Sequence, residues 1–136
     1  MIRASFVAGA MLLAVPALAA TPIAGRYVTE DGSGVIEIGR CGATVCGRLV
    51  RILKSEPNAP KTDVNNSDPA LRSRPVLGMP ILSGFTDGGK DWRGRIYDPR
   101  NGKSYKSIVS RNGDGTLKVQ GCIAFICQTQ LWKPVG

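Results

Sequence analysis

The sequence predicts an all-β protein: a single small antiparallel up-and-down barrel of about eight strands, with one long irregular loop that contains a short helical turn. Apolar and polar residues alternate through most of the chain, with almost no helical period. Turn sequences such as Asp31-Gly32-Ser33-Gly34 and Asn112-Gly113-Asp114-Gly115 separate the alternating segments. Closing such a sheet removes its exposed edges, and eight strands is a common number for closure.

Residues 1–20 have the layout of a secretory signal peptide. Arg3 precedes an apolar run that extends from Phe6 to about Ala14, and the small-residue triplet Ala17-Leu18-Ala19 predicts cleavage after Ala19 or Ala20. A membrane anchor is the alternative, but it would need roughly 20 uninterrupted apolar residues. We therefore expect a periplasmic or secreted protein with a single domain over residues 21–136.

The exported chain is expected to be basic. The full chain has 18 basic and 10 acidic residues, and removal of Arg3 with the signal peptide leaves a net charge of +7. A surplus of this size favours polyanions such as anionic lipid headgroups or cell-wall polymers. The basic residues are scattered and form no dense run, which is typical of general solubility, and no nucleic-acid partner is expected.

The predicted strands follow one another in a simple order after the signal peptide. Their ranges are 26–30, 34–41, 46–53, 76–85, 92–98, 103–111, 116–122 and 127–134. The first pair is separated by the turn at Asp31, and the fourth and fifth by Asp87-Gly88-Gly89. Asn101-Gly102 divides the fifth strand from the sixth, and Asn112-Gly113 divides the sixth from the seventh.

The four cysteines form two C-x4-C units, Cys41/Cys46 and Cys122/Cys127. Export favours disulfides over the alternative of a zinc site, and the absence of His weakens zinc further. If each unit flanks a four-residue hairpin loop, its two cysteines lie opposite each other within bonding distance.

That register places predominantly apolar residues on one face of the last hairpin. The residues expected on this face are Leu117, Val119, Gln130 and Trp132. The apolar residues 123–126 then form the loop, either as an exposed knob or, as we prefer, as a plug folded over the barrel end. In the first hairpin the alternation leaves the inner face undecided.

The loop at residues 54–75 is the longest irregular stretch and contains four prolines. Asp68-Pro69 predicts a helix cap, with one helical turn over 69–74. A loop of this length is often a functional lid. The polar residues of the predicted lid are Asp63, Asn65, Asn66, Asp68, Arg72 and Arg74. They do not fit an EF-hand, and we prefer turn capping and pairing with Arg72 or Arg74 over a calcium site.

The strand at 92–98 carries the best candidates for binding. Trp92 is expected to face the core, whereas Arg93, Arg95 and Tyr97 form a basic, aromatic stripe that could contact sugars or phosphates. Asp98 either caps its own turn, which we prefer, or forms a polar pair with Tyr105 at the barrel mouth.

Catalysis finds little support in the sequence. The chain has no His, which excludes Ser-His and Cys-His nucleophile pairs, and no pair of carboxylates suggests a glycosidase. We therefore expect a non-enzymatic protein without a cofactor or a metal site.

Three stretches resemble a family of small exported bacterial proteins, domain-of-unknown-function family 2147. They are "DVNNSDPALRSRPVLGMPIL", "GRIYDPRNGKSY" and the last cysteine pair followed by "QTQLW". The resemblance extends over residues 25–132. Gly25-Arg26-Tyr27 stands where the family often has Gly-x-Trp, which is similar to the opening of lipocalin-like barrels. The resemblance implies no activity, substrate or catalytic residue.

Two functional hypotheses follow from these features. In the first, a lipocalin-like barrel binds a small apolar or amphipathic ligand, or an envelope component, at one barrel end; the ligand-facing candidates are Trp92, Tyr97, Tyr105 and Trp132. In the second, the protein interacts with the envelope through Arg93, Arg95 and the apolar tip around Phe125. An enzyme ranks third and would require Asp63, Asp68 or Asp98 to converge in one cleft.

Overall fold

A computed structural model describes residues 4–5, 7–10 and 19–135, so most of the predicted signal peptide lies outside the described residues. Eight antiparallel strands form a closed barrel in chain order, as the sequence predicts. They are β1 (Gly25–Val28), β2 (Gly34–Cys41), β3 (Thr44–Ile52), β4 (Pro80–Asp87), β5 (Trp92–Asp98), β6 (Lys103–Arg111), β7 (Leu117–Ile123) and β8 (Ile126–Pro134). A 3-10 helix at Pro69–Leu71 lies in the long loop. Within the described residues, no helix is long and apolar enough to span a bilayer.

The barrel interior is filled by apolar side chains. Trp132, Tyr27 and Phe85 are the largest, and each is at most 2% exposed. Two glycines on the inner face leave room for the side chains of neighbouring strands. A Cβ atom at Gly94 would lie 2.6 Å from Phe85 Cδ2, and one at Gly47 would lie 3.0 Å from the Cγ2 atom of a neighbouring isoleucine. The inner face of the wall is therefore closely packed.

The first hairpin differs from its predicted register. Cys41 lies opposite Thr44, and Cys46 lies opposite Gly39, so the turn has two residues and not four. Gly42 supplies the left-handed conformation that a tight hairpin turn needs, with φ at 66°. The disulfide Cys41–Cys46 forms as predicted, but it joins diagonal positions.

The structure also decides which face of this hairpin is inside. Ile36 and Ile38 are buried, and Leu49 packs against the core. Leu53, which the alternation places with them, is instead exposed beyond the end of β3. A bulge between Val35 and Ile36 shifts the pairing and breaks the strict alternation.

The last hairpin follows the predicted register. Cys122 lies opposite Cys127 and is bonded to it. Leu117, Val119 and Trp132 are buried as expected. Pairing continues beyond the cysteines to residues 123 and 126, so the loop is shorter than the predicted tetrad.

The fourth strand begins four residues later than predicted, at Pro80. Gly78 has a φ of 90°, and the Met79 amide donates to the Val76 carbonyl, so residues 76–79 form a turn. Met79 is nevertheless buried, because the turn folds back over the edge of β3 and the Leu49 amide donates to its carbonyl.

Candidate functional site

The barrel has two structurally different ends. At the plugged end, the segment before β1 packs into the barrel with Ala20 and Ile23 buried, beside the turns at 42–43, 88–91 and 112–116. At the opposite end, here called the tip end, lie the connections 29–33, 53–79, 99–102 and 124–125. The long loop and the apolar hairpin turn therefore belong to the same end.

Two of the predicted ligand contacts are not available at the tip end. Trp92 lies at the start of β5, and its indole nitrogen donates to the Thr21 carbonyl at 3.0 Å, which attaches the plug segment to the wall. Trp132 is 2% exposed and donates to the Gln130 side chain at 2.9 Å. Both tryptophans therefore stabilise the fold and do not line a common pocket with Tyr97 and Tyr105.

Asp63 organises the long loop. Its carboxylate has no exposed surface and accepts hydrogen bonds from Tyr97 Oη at 2.5 Å, Asn66 Nδ2 at 2.8 Å and Arg74 Nε at 2.9 Å. The Arg74 guanidinium also lies over the Tyr97 ring, 5.3 Å from its centroid. The preferred interpretation, pairing of this loop with Arg74, agrees with these contacts.

The same contacts shift the ionisation of both partners. Burial alone would raise the pKa of Asp63, but the hydrogen bonds from Tyr97, Asn66 and Arg74 outweigh it and hold the pKa below its ordinary value. Burial, followed by the hydrogen bond to Asp63, raises the pKa of Tyr97. The cluster is thus a charged carboxylate and a neutral phenol at neutral pH.

The loop is attached to β5 and to the β5–β6 turn. Ile96 and Tyr97 are both partly buried against the core, and the Tyr97 hydroxyl donates to Asp63. Asn65 Nδ2 donates to the Pro99 and Arg100 carbonyls at 3.2 Å, which attaches the loop to the β5–β6 turn. These contacts hold the loop in place, and its role as a lid stays a prediction.

The remaining polar residues of the loop support its own turns. Asp68 caps the 3-10 helix by accepting from the Ala70 amide at 3.0 Å, as predicted. Arg72 Nε donates to the Asn66 carbonyl at 2.8 Å. Among the described residues, no three side chains of the types His, Cys, Asp or Glu cluster as metal ligands would.

The β5–β6 turn carries the other predicted polar pair. Asp98 Oδ1 accepts from the Arg100 amide at 2.9 Å, so Asp98 caps its own turn, as preferred. Tyr105 Oη accepts instead from Asn101 Nδ2 at 2.8 Å. Asp98 and Tyr105 therefore have separate structural partners in this turn.

An ion pair crosses the tip end. Arg100 in the β5–β6 turn lies 3.0 Å from Asp31 in the β1–β2 turn, and these turns are on opposite sides of an eight-stranded barrel. Burial alone would raise the pKa of Asp31, but hydrogen bonds from Ser33 and Thr29 and the charge of Arg100 lower it to about 2. No sequence signal pointed to this contact.

The β7–β8 turn is the most exposed apolar feature of the tip end. Ile123 and Ile126 are each 68% exposed and Phe125 is 92% exposed, so the expectation of a plug is wrong. Ala124 adopts a φ of 53°, which lets two residues close the turn. The disulfide Cys122–Cys127 holds the two strands directly below, with a Cα–Cα distance of 4.0 Å. These four residues, 123–126, are called the tip below.

A basic row begins directly beside the tip on the outer face. Cys122 pairs with Lys106 on β6, and Lys106 pairs with Arg95 on β5. Arg95 also donates to the Ser104 carbonyl at 3.1 Å, whereas Arg93, further from the tip, pairs with Asp91 at 3.0 Å. Lys106 was missed from the sequence, because its position beside Cys122 depends on the pairing of β6 with β7.

Two concave surfaces open on the outside of the barrel. One, of about 460 Å³, lies over β1–β3 and includes Arg26, Glu37, Arg40 and Arg48. The other, of about 450 Å³, lies between the β1–β2 turn and β8. Neither of these two surfaces includes the predicted aromatic contacts.

One solved structure and one family model match this chain. The chain is similar to protein HP1028 from the human pathogen Helicobacter pylori, which is described as belonging to the lipocalin family. The TM-score is 0.74 at 22% identity, over 85% of this chain and 84% of that one. No curated protein matches. The family model for "Uncharacterized protein conserved in bacteria (DUF2147)" matches residues 25–134, and the chain therefore belongs to this bacterial family.

Proposed function

We propose that this is an exported, non-catalytic protein that binds an amphipathic envelope component, an anionic lipid surface, through the tip and the basic row. The observation that carries the proposal is the exposure of Ile123, Phe125 and Ile126 on a turn held by a disulfide. Apolar side chains this exposed and this close together mark an interaction surface. The bacterial family and the two disulfides support a location outside the cytoplasm.

The expected free energy of binding to an anionic lipid surface is of the size that gives reversible binding. Full burial of a large apolar side chain is worth about 1.5–3 kcal/mol, and each Lys or Arg near an anionic surface adds about 1 kcal/mol. Partial insertion of the three exposed tip side chains, with Lys106 and Arg95 near the headgroups, therefore gives several kcal/mol. The disulfide fixes the strand ends in advance, so less conformational entropy is lost on binding.

Co-sedimentation with vesicles tests this proposal. The leaderless protein should bind vesicles containing phosphatidylglycerol and should be released by high salt, but it should bind pure phosphatidylcholine weakly. Phe125→Ser should weaken binding at least about tenfold, because an apolar anchor of 1.4 kcal/mol or more is lost. Val135→Ser, at the plugged end, is the matched control, since Val135 is also an exposed apolar residue.

Charge-reversal variants test the contribution of the basic row to vesicle binding. Arg95→Glu/Lys106→Glu should abolish binding at low salt, whereas Arg93→Glu, further from the tip and paired with Asp91, should have the smaller effect. Absence of wild-type binding to anionic vesicles would reject the proposal. So would Phe125→Ser protein that binds as tightly as the wild type.

A second candidate function is binding of a small amphipathic ligand near the tip end. Gln128 and Gln130 alternate with the buried Trp132 and so share its inner face, yet both are exposed, which leaves polar groups facing solvent above the core. The lipocalin-like fold supports this candidate as well. Native mass spectrometry of protein purified from its own compartment would reveal a retained ligand, and a bare mass would count against this function.

A further inference from the structure

The segment before β1 is an integral part of the barrel from Ala20 onward. Ala20 is 6% exposed and Ile23 is 1% exposed, whereas Ala19 is exposed. Trp92 holds the segment by donating to the Thr21 carbonyl. The boundary between the fold and the predicted leader therefore falls between Ala19 and Ala20.

The nitrogen of Ala20 faces a carboxylate. It lies 3.1 Å from Asp87 Oδ1 and 3.2 Å from Oδ2, at the end of β4. Asp87 Oδ1 also accepts from the Gly89 amide at 2.7 Å, but within residues 19–135 Asp87 forms no salt bridge with a basic side chain. A peptide nitrogen has one hydrogen for these two oxygens, whereas a free α-amino group has three and a positive charge.

The sequence before this nitrogen fits a processing site. Ala17-Leu18-Ala19 supplies the small residues that a leader peptidase requires before the cleaved bond. Cleavage one residue later, after Ala20, would remove a buried side chain and the nitrogen that Asp87 binds. Only the earlier cleavage keeps the whole plug intact.

We propose that a leader peptidase of the envelope cuts the chain between Ala19 and Ala20, and that the new α-ammonium group of Ala20 forms an ion pair with Asp87 that fixes the plugged end. In this hydrolysis the C–N bond breaks, and water supplies a hydroxyl to the Ala19 carbonyl carbon and a proton to the Ala20 nitrogen. The new Ala19 carboxyl group then loses its proton and the Ala20 amine gains one, which gives a carboxylate and an ammonium ion. The Ala20 nitrogen already lies at hydrogen-bonding distance from both carboxylate oxygens. The proposal rests on the export proposed above but not on lipid binding.

The start of the exported protein tests the cleavage site. The full chain, with its own leader, is produced in a Gram-negative host, and the exported product is analysed by intact mass and N-terminal sequencing. A product that begins with Ala20 is expected. A product that begins with Thr21 or further on, or an uncut chain, would overturn the proposal. Protein cut after Ala19 that fails to bind vesicles would retain this inference while rejecting lipid binding.

Thermal unfolding tests the ion pair separately. Asp87→Asn in the chain beginning at Ala20 should lower Tm by about 3 °C, as expected for a partly exposed pair in a domain of this size. The same substitution should have a clearly smaller effect when the α-amino group is acetylated, because acetylation removes its charge. Equal losses of Tm with and without acetylation would show that the amino group makes no ion pair.

Discussion

Removing the Tyr97 hydroxyl should destabilise the protein through Asp63. The Asp63 side chain has no exposed surface, and its carboxylate accepts hydrogen bonds from three side chains, of which Tyr97 is one. A hydrogen bond to a charged group is worth about 1.5–3 kcal/mol, so Tyr97→Phe should cost about 2 kcal/mol. Asp63→Asn should cost about 3 kcal/mol, because it also breaks the ion pair with the partly solvated Arg74.

Urea unfolding followed by tryptophan fluorescence measures these losses at neutral pH. Tyr105→Phe is the matched control, because its hydroxyl accepts only from the exposed Asn101 and its removal should cost less than about 0.5 kcal/mol. The double variant Tyr97→Phe/Asp63→Asn should cost less than the sum of the single variants, since both act on one cluster.

The effect should also depend on pH. The folded-state pKa of Asp63 is lowered, so its charge stabilises the folded protein above the ordinary carboxyl pKa of about 4, and this contribution is lost as the pH falls through the folded-state pKa. The difference in stability between wild type and Asp63→Asn should therefore shrink in acid. A Tyr97→Phe cost below about 0.5 kcal/mol, or a wild-type advantage that grows in acid, would refute the reasoning.

Two further substitutions test the packing at the tip end. Gly102→Ala should destabilise the protein by about 3 kcal/mol or more in a thermal unfolding assay, because φ is 71° and the new Cβ would lie 1.7 Å from the Asn65 carbonyl oxygen. Gly113→Ala is the control and should have little effect, because its Cβ would meet nothing within 4 Å. Cys122→Ala/Cys127→Ala should lower the free energy of unfolding by about 2 kcal/mol, the loop-entropy value for so short a ring. A thiol titration of the unfolded but unreduced wild type should detect no free cysteine; two free thiols would contradict one disulfide, and four would contradict both.

The strand order was predictable because its signals are local. Turn dipeptides and alternation identify every tightly connected hairpin locally, β3 and β4 being the exception because the long loop joins them, and all eight strands follow in chain order. Cysteine pairing was also local, since both partners lie five positions apart. The register of the first hairpin failed because Gly42 permits a two-residue turn that the cysteine spacing does not reveal.

The candidate site depended on contacts that no local pattern encodes. The tip was expected to fold inward, but the barrel is already filled, which leaves Phe125 in solvent. The ion pair of Arg100 with Asp31 joins residues 69 positions apart. Lys106 beside the tip depends on the pairing of β6 with β7, which alternation within either strand cannot fix.

The barrel is closed by a much shorter pairing than the one that joins its last two strands. Only two residue pairs, Tyr27 with Pro134 and Val28 with Lys133, join β1 to β8, whereas seven join β7 to β8. Loss of those two pairs would open the barrel into a twisted eight-stranded sheet with two free edges, so we expect partial unfolding to begin there and the local amides to exchange with deuterium first. Free sheet edges promote aggregation, so we expect this short junction to limit the concentration and the temperature that the protein tolerates.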